Sequence, residues 1–162
     1  DELVKALADS TVKSITLYNG TYELKSTVVN RDLTIVGSGS NVKVDAIDLA
    51  GSAKITIEGV TFTGTERGIE AQAGFTGTIS VKNCTFDGLT TGIFLNGGSG
   101  TVEGCTFTGC TSGIGIDGLN GTLNVVNCTF SGNTEDIGTS IGTANIKLTG
   151  TTATIKDYSK SE

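Results

Sequence analysis

The chain has 162 residues, a length that suits one domain, and 36% of its residues are hydrophobic. Its formal charge of -6 and pI near 4.6 argue against binding to nucleic acid or to an anionic membrane surface. No apolar run approaches the roughly 20 residues that cross a bilayer, so we expect no membrane insertion.

The first eight residues predict a short amphipathic helix. Leu3, Val4 and Leu7 lie at helical spacing behind two acids. We expect residues 1–10 to cap the open end of the structure that follows, because unpaired strand edges favour aggregation.

One short pattern recurs four times between Ile55 and Gly138: Val or Cys, then Thr, Phe, a polar residue and Gly. Its phenylalanines are separated by 24, 21 and 23 residues, at Phe62, Phe86, Phe107 and Phe130. A second element keeps the same steps, as Gly68-Ile69, Gly92-Ile93, Gly113-Ile114 and Asp136-Ile137. A period of this size indicates stacked units, and the alternation of apolar and polar residues indicates strands.

Each period holds three short strands separated by Gly and Asn, which predicts a parallel β-helix. The residues before the Val or Cys are Gly59, Asn83, Gly104 and Asn127, types that tolerate the left-handed conformation of a tight bend. Proline is absent, as expected where nearly every backbone N–H pairs with a neighbouring coil. We expect about six coils over residues 11–157, and a polar tail over residues 158–162.

The alternation points the Cys and Phe side chains inward. We expect a core ladder in two columns, Cys84, Cys105 and Cys128 in one and Phe62, Phe86, Phe107 and Phe130 in the other. Their parallel side chains favour free thiols over disulfides. Cys110 lies outside the column, in a bend. With no His and no Cys-x-x-Cys pair, we expect no metal site and no cofactor.

The same alternation points a set of polar side chains outward on one flat face. They form two columns, a candidate binding face of Thr61, Thr63, Thr85, Asp87, Thr106, Thr108, Thr129 and Ser131. Threonine is also a good residue for any exposed strand, so a purely structural role stays open. A hydroxyl surface can instead contact a carbohydrate or ordered water.

Charged residues give weaker candidates. Glu58, Lys82 and Glu103 are expected to stack as alternating charges on another strand. Glu66, Arg67, Glu70 and Asp87 are candidate catalytic residues if they converge, and Asp117, Glu135 and Asp136 are a second possible group. Acids scattered over a solvated face give the same pattern.

Residues 12–157 resemble a known fold family. Ile15-Thr16-Leu17, the turn at Asn19-Gly20, Leu33-Thr34-Ile35 and the Asn-Cys-Thr-Phe-x-Gly units resemble right-handed parallel β-helix proteins of the pectate-lyase-like superfold. The resemblance implies an all-β solenoid. It does not choose a function, because that superfold hosts lyases, hydrolases, adhesins and passive stalks.

We therefore expect a non-enzymatic structural or adhesive module of an extracellular bacterial surface protein, acting as a rigid spacer with a polysaccharide or cell-surface glycan as its partner. Two alternatives remain: a polysaccharide lyase or glycoside hydrolase, and a filament subunit that stacks end to end through its C-terminal coil. The first residue is not Met, so we expect a mature or excised fragment. At the C-terminal end we expect the chain to continue, Tyr158 to fold over the end, or another subunit to stack there.

Overall fold

The computed structural model describes residues 2–160 and shows a three-sided parallel β-solenoid of about seven coils. Within these residues the chain has one helix, α1 (Glu2–Ala8), and eighteen strands. All strand pairs are parallel, and most strands pair with the coil before and the coil after. The predicted all-β right-handed fold with a short N-terminal helix is confirmed, with seven coils instead of six.

The strands lie on three lateral faces. Face A contains β1 (Ser14–Tyr22), the first half of β3 (Leu33–Val44), β5 (Lys54–Glu58), β8 (Thr78–Lys82), β11 (Ser99–Glu103), β14 (Leu123–Val126) and β17 (Ile146–Thr149). Face B contains β6 (Thr61–Phe62), β9 (Thr85–Asp87), β12 (Thr106–Thr108) and β15 (Thr129–Ser131). Face C contains β2 (Thr27–Val29), β4 (Ile47–Leu49), β7 (Arg67–Ala71), β10 (Thr91–Asn96), β13 (Ser112–Gly118), β16 (Glu135–Thr139) and β18 (Ile155–Asp157).

The two long strands, β1 and β3, build the first two coils. β3 pairs with β5 through Leu33–Val36 and with β6 through Lys43–Val44, so it crosses from face A to face B. β1 follows β3 along almost its whole length. The first two coils therefore lack the Thr-Phe pattern, which marks four of the seven coils.

The bends between faces A and B have the predicted conformation. The φ angles are +69° at Gly59, +51° at Asn83, +62° at Gly104 and +50° at Asn127. Asn is one of the few residues with a side chain that visits this left-handed region, which explains why Gly and Asn alternate here.

The phenylalanines stack along the core. Ring centroids are 5.0 Å apart between Phe62 and Phe86, and 4.7 Å apart in each of the next two pairs, with interplanar angles of 1° to 6°. The rings of Phe62, Phe86 and Phe107 are almost completely buried, whereas Phe130 at the end of the stack is only partly buried. The four phenylalanine side chains point inward as predicted, but Phe130 is more exposed to solvent than we expected.

The glycine of each Gly-Ile pair packs against this stack. A Cβ on Gly92 would lie 2.9 Å from the Phe107 ring, and one on Gly113 would lie 3.0 Å from Phe130. Both distances are too short for a methyl group. Asp136 takes this position in the sixth coil. Within residues 2–160 no strand lies on face B beyond β15, so no further ring packs on this position.

Helix α1 covers the N-terminal end, with Leu3 and Leu7 buried. Arg31 anchors it by donating hydrogen bonds to the carbonyl oxygens of Leu7 at 2.8 Å and Ala6 at 3.0 Å. Val4 was expected on the same apolar face but is 53% exposed, since only Leu3 and Leu7 point to the solenoid. Asp1, the predicted first residue of the helix, lies outside the described residues.

The C-terminal end has a different arrangement. Ile146 is buried in β17, while Leu148, Ala153 and Ile155 are partly buried. Tyr158 does not fold over this end: it lies on face C, where its hydroxyl donates a hydrogen bond to the Glu135 carboxylate. Residues 161 and 162 of the predicted tail lie outside the described part of the chain.

Candidate functional site

Face B places the predicted threonine columns in register. Thr61 pairs with Thr85, Thr85 with Thr106 and Thr106 with Thr129. In the second column Asp87, Thr108 and Ser131 pair, and Thr63 is exposed one residue beyond β6. Within residues 2–160 these hydroxyl groups form no hydrogen bond to the protein. They are therefore free to bind water or a ligand.

The column of alternating charges on face A is in register but not in contact. Lys82 pairs with Glu58 on one side and Glu103 on the other. The ion pairs among the described residues are Lys25–Glu23 and Arg67–Glu70, so the three side chains point into solvent without closing a salt bridge. Their contribution to stability is correspondingly small.

Three of the four catalytic candidates meet at the bend between faces B and C. Arg67 forms an ion pair with Glu70 at 3.2 Å, and its guanidinium carbon lies 3.8 Å from the centroid of the Phe94 ring. Glu66, Arg67 and Glu70 line a shallow depression of about 360 Å³. Asp87 does not join them, because it points outward on face B.

Sequence reasoning missed Asp48 at this place. Asp48 pairs with Glu70 in the adjacent coil and accepts a hydrogen bond from the Gln72 amide at 3.1 Å. Burial, with a smaller contribution from Glu70, raises the pKa of the Asp48 carboxyl above its ordinary value, against the opposing effect of Gln72. The sequence pattern that could have revealed Asp48 is the alignment of Ile47 with Ile69. That alignment places Asp48 beside Glu70 in the adjacent coil.

The second group of acids separates in the structure. Asp117 accepts a hydrogen bond from Ser140 at 2.9 Å and stays apart from the other two. Asp136 accepts hydrogen bonds from the Thr154 amide at 3.1 Å and the Asn133 side chain at 3.3 Å. Glu135 is bound to Tyr158. Glu135 and Asp136 line a depression of about 550 Å³ with Lys156 and Tyr158, and Asp117 does not.

The four cysteines are buried and free. Each thiol of the column lies near the backbone carbonyl of the previous coil, from Cys84 to Ile57 at 3.7 Å, Cys105 to Val81 at 3.5 Å and Cys128 to Val102 at 3.4 Å. Cys110, outside the column, makes the equivalent contact to Phe86 at 3.6 Å. The thiols are therefore weak internal donors in the core.

Within the described residues, His, Cys, Asp and Glu form no group of three or more that could hold a metal ion. The helix in this part of the chain is also too short and too polar to span a membrane.

Stacked coils, continuous interior columns and parallel lateral faces define the class of parallel β-solenoid repeat proteins. The family described as "Right handed beta helix region" matches residues 9–158, and the chain belongs to this family. Comparison with curated proteins and with solved structures gave no match.

Proposed function

We propose that the protein is a non-enzymatic structural and adhesive module of an extracellular bacterial surface protein. It acts as a stiff rod whose face B contacts glycans. The observation that carries this proposal is the register of the free hydroxyl groups from Thr61 to Thr129 over four consecutive coils. Successive rows lie about 4.8 Å apart, so one extended ligand can meet several equivalent rows.

The interior supports the rod. The Phe stack runs through four coils without a break, and the polar bends bind neighbouring coils together. For example, the Asp45 carboxylate accepts hydrogen bonds from the backbone amides of Leu24 at 2.6 Å and Lys25 at 2.9 Å, which lie one coil earlier. Such bonds between coils oppose bending and local opening.

The contacts of the charged candidates fit a structural role better than a catalytic one. Arg67 is shared between Glu70 and Phe94, Asp136 binds a backbone amide, and Asp117 binds Ser140. Filament assembly by head-to-tail stacking would have to displace α1, which is anchored by Arg31.

The experiment is gel electrophoresis through a matrix that contains a neutral polysaccharide, with Thr106→Lys on face B as the test variant. Thr101→Lys is the matched control, because Thr101 is a similarly half-buried threonine at the centre of face A. We expect the wild type and the control to be retarded and Thr106→Lys to migrate freely. Equal retardation of all three proteins would contradict binding by face B.

A further inference from the structure

Three surface depressions follow one edge of the solenoid. They have volumes of about 360, 280 and 550 Å³, and each contains residues of the bend between faces B and C. The first begins at Ser26 in coil 1, the second adds Thr90 in coil 4, and the third runs from Thr111 in coil 5 to Thr154 in coil 7. We call these depressions together the edge groove.

The bottom of the edge groove is in register from coil to coil. Backbone hydrogen bonds join Thr91 to Glu66, Ser112 to Thr90 and Glu135 to Thr111, each amide binding the carbonyl one coil earlier. Glu66, Thr90, Thr111 and Thr134 therefore occupy equivalent positions about 4.8 Å apart. The first two depressions share Glu66, Arg67 and Glu70, and the third begins one coil beyond Thr90. From coil 1 to coil 7 the three depressions span six steps, or about 29 Å, a length that suits a linear ligand.

The lining of the edge groove has a negative formal charge. Five carboxylates and two basic groups line it, which gives a formal charge of -3. The carboxylates are those of Asp45, Glu66, Glu70, Glu135 and Asp136, and the basic groups are those of Arg67 and Lys156. Arg67 is already paired with Glu70 at 3.2 Å. The Glu66 carboxylate makes no hydrogen bond or ion pair within residues 2–160, so it is available to a cation.

The other lining groups favour a polyhydroxylated ligand. Thr90, Thr111 and Thr134 stand in one row, and the phenol ring of Tyr158 closes the C-terminal end of the groove. The Thr90 hydroxyl donates to the Thr65 carbonyl oxygen at 3.0 Å and keeps only its capacity to accept a hydrogen bond. Hydroxyls can donate and accept hydrogen bonds, and an aromatic ring provides a flat apolar contact. A sugar chain uses both kinds of contact.

We propose that the edge groove binds a linear glycan that carries protonated amino groups. The amino groups meet the carboxylates of Glu66 and Glu135, and the sugar hydroxyls meet the threonine row. A uronate polymer is disfavoured, because its carboxylates would face a groove of the same sign. This inference rests on the proposed contact with glycans, but it adds a second site beside face B and selects the charge of its ligand.

The test measures binding of glucosamine oligosaccharides at about pH 5, where the sugar amino groups are mostly protonated. The test variant is Glu66→Gln with Glu135→Gln, in which the new amide oxygen can still accept the Tyr158 hydroxyl. The matched control is Glu58→Gln with Glu103→Gln on face A, which removes the same charge from two partly exposed glutamates. Circular dichroism and thermal unfolding check that both variants fold.

We expect the test variant to weaken binding about three- to tenfold and the control to leave it within about twofold. Equal weakening by both variants would overturn the proposal, because binding would then follow net charge alone. The proposal would also be overturned if oligogalacturonate bound more tightly than the glucosamine oligosaccharide. The same holds if an oligolysine of the same charge bound as tightly as that oligosaccharide and lost as much affinity in the test variant. If neutral glycans bind through face B while glucosamine oligosaccharides do not bind, the inference fails and the proposed function stands. If no glycan binds, both fail.

Discussion

Cys128 and Thr151 occupy the same position in consecutive coils and make the same contacts. The Cys128 thiol lies 3.4 Å from the Val102 carbonyl oxygen and 3.4 Å from that of Val126. The Thr151 hydroxyl donates to the carbonyls of Val125 at 3.2 Å and Thr149 at 2.9 Å. In these two coils the position therefore holds a small side chain that donates a hydrogen bond, and thiol chemistry is not required there. Val60 occupies the same position in the third coil and is buried, so an apolar side chain is also accommodated.

We expect Cys128→Thr to be nearly neutral, within about 1 kcal/mol, because Thr reproduces the donor seen at Thr151. Cys128→Ala should cost about 1 to 2 kcal/mol, since it removes both the donor and packing volume. Chemical denaturation of both variants measures the difference. A larger loss for Thr than for Ala would show that the column selects apolar volume only.

Phe107→Ala should lower the free energy of unfolding by about 3 to 5 kcal/mol. Phe107 stacks at 4.7 Å on both Phe86 and Phe130 and has no exposed surface. Phe130→Ala is the control and should cost less, because Phe130 is only partly buried. Urea denaturation measures both values, and a loss below about 1 kcal/mol for Phe107→Ala would contradict the inward register.

Gly92→Ala should destabilise the protein strongly, by about 2 kcal/mol or more. The added methyl group would meet the Gly113 carbonyl oxygen at 2.6 Å and the Phe107 ring at 2.9 Å. At Gly115, a Cβ would meet Phe94, a partly exposed side chain that can move, at 3.3 Å. In thermal unfolding, Gly115→Ala should therefore have a clearly higher melting temperature than Gly92→Ala. Equal melting temperatures would contradict the close packing of Gly92 on the Phe107 ring.

The strands, their register and the bends between faces A and B were predictable, because each repeats with the same residue types. The bend between faces B and C was not predictable as a groove. It contains Ala46 in one coil and Glu66 in the next. Threonine recurs at this bend in the three coils that follow, but threonine is frequent on any exposed strand, so the repeat does not mark a groove. The sequence offered the convergence of Glu66, Arg67, Glu70 and Asp87 only as a possibility. It could not separate Asp87 and Asp117 from the other acids, because that separation depends on the face to which each side chain points.

The four native thiols should react slowly with thiol reagents, because each is at most 5% exposed, and rapidly after unfolding. Burial raises the pKa of Cys110, so little reactive thiolate forms near neutral pH. The contact with Cys128 lowers the pKa of Cys105, but the Cys84 contact and burial outweigh it and raise that pKa to about 12. A time course with an aromatic disulfide reagent, with and without urea, measures this, and fast native labelling would place the thiols outside the core.

The same pKa shift predicts lower stability in alkaline solution. A thiol with a raised pKa keeps its proton in the folded state, whereas the unfolded thiol loses it above about pH 9. The folded state then binds more protons, so the free energy of unfolding falls as pH rises from about 9 towards 12. Cys105→Thr should reduce this decline, which denaturation at several pH values measures.

The most direct test of the non-enzymatic account uses the wild-type protein with a panel of neutral, acidic and amino-group-bearing polysaccharides, with and without Ca²⁺. Retarded migration and the appearance of new chain ends are recorded on the same samples. A rod that contacts glycans predicts retardation by at least one polymer with no new chain ends. Release of new chain ends, lost in an Asp48→Asn or Glu70→Gln variant, would contradict it and make the protein a polysaccharide-cleaving enzyme.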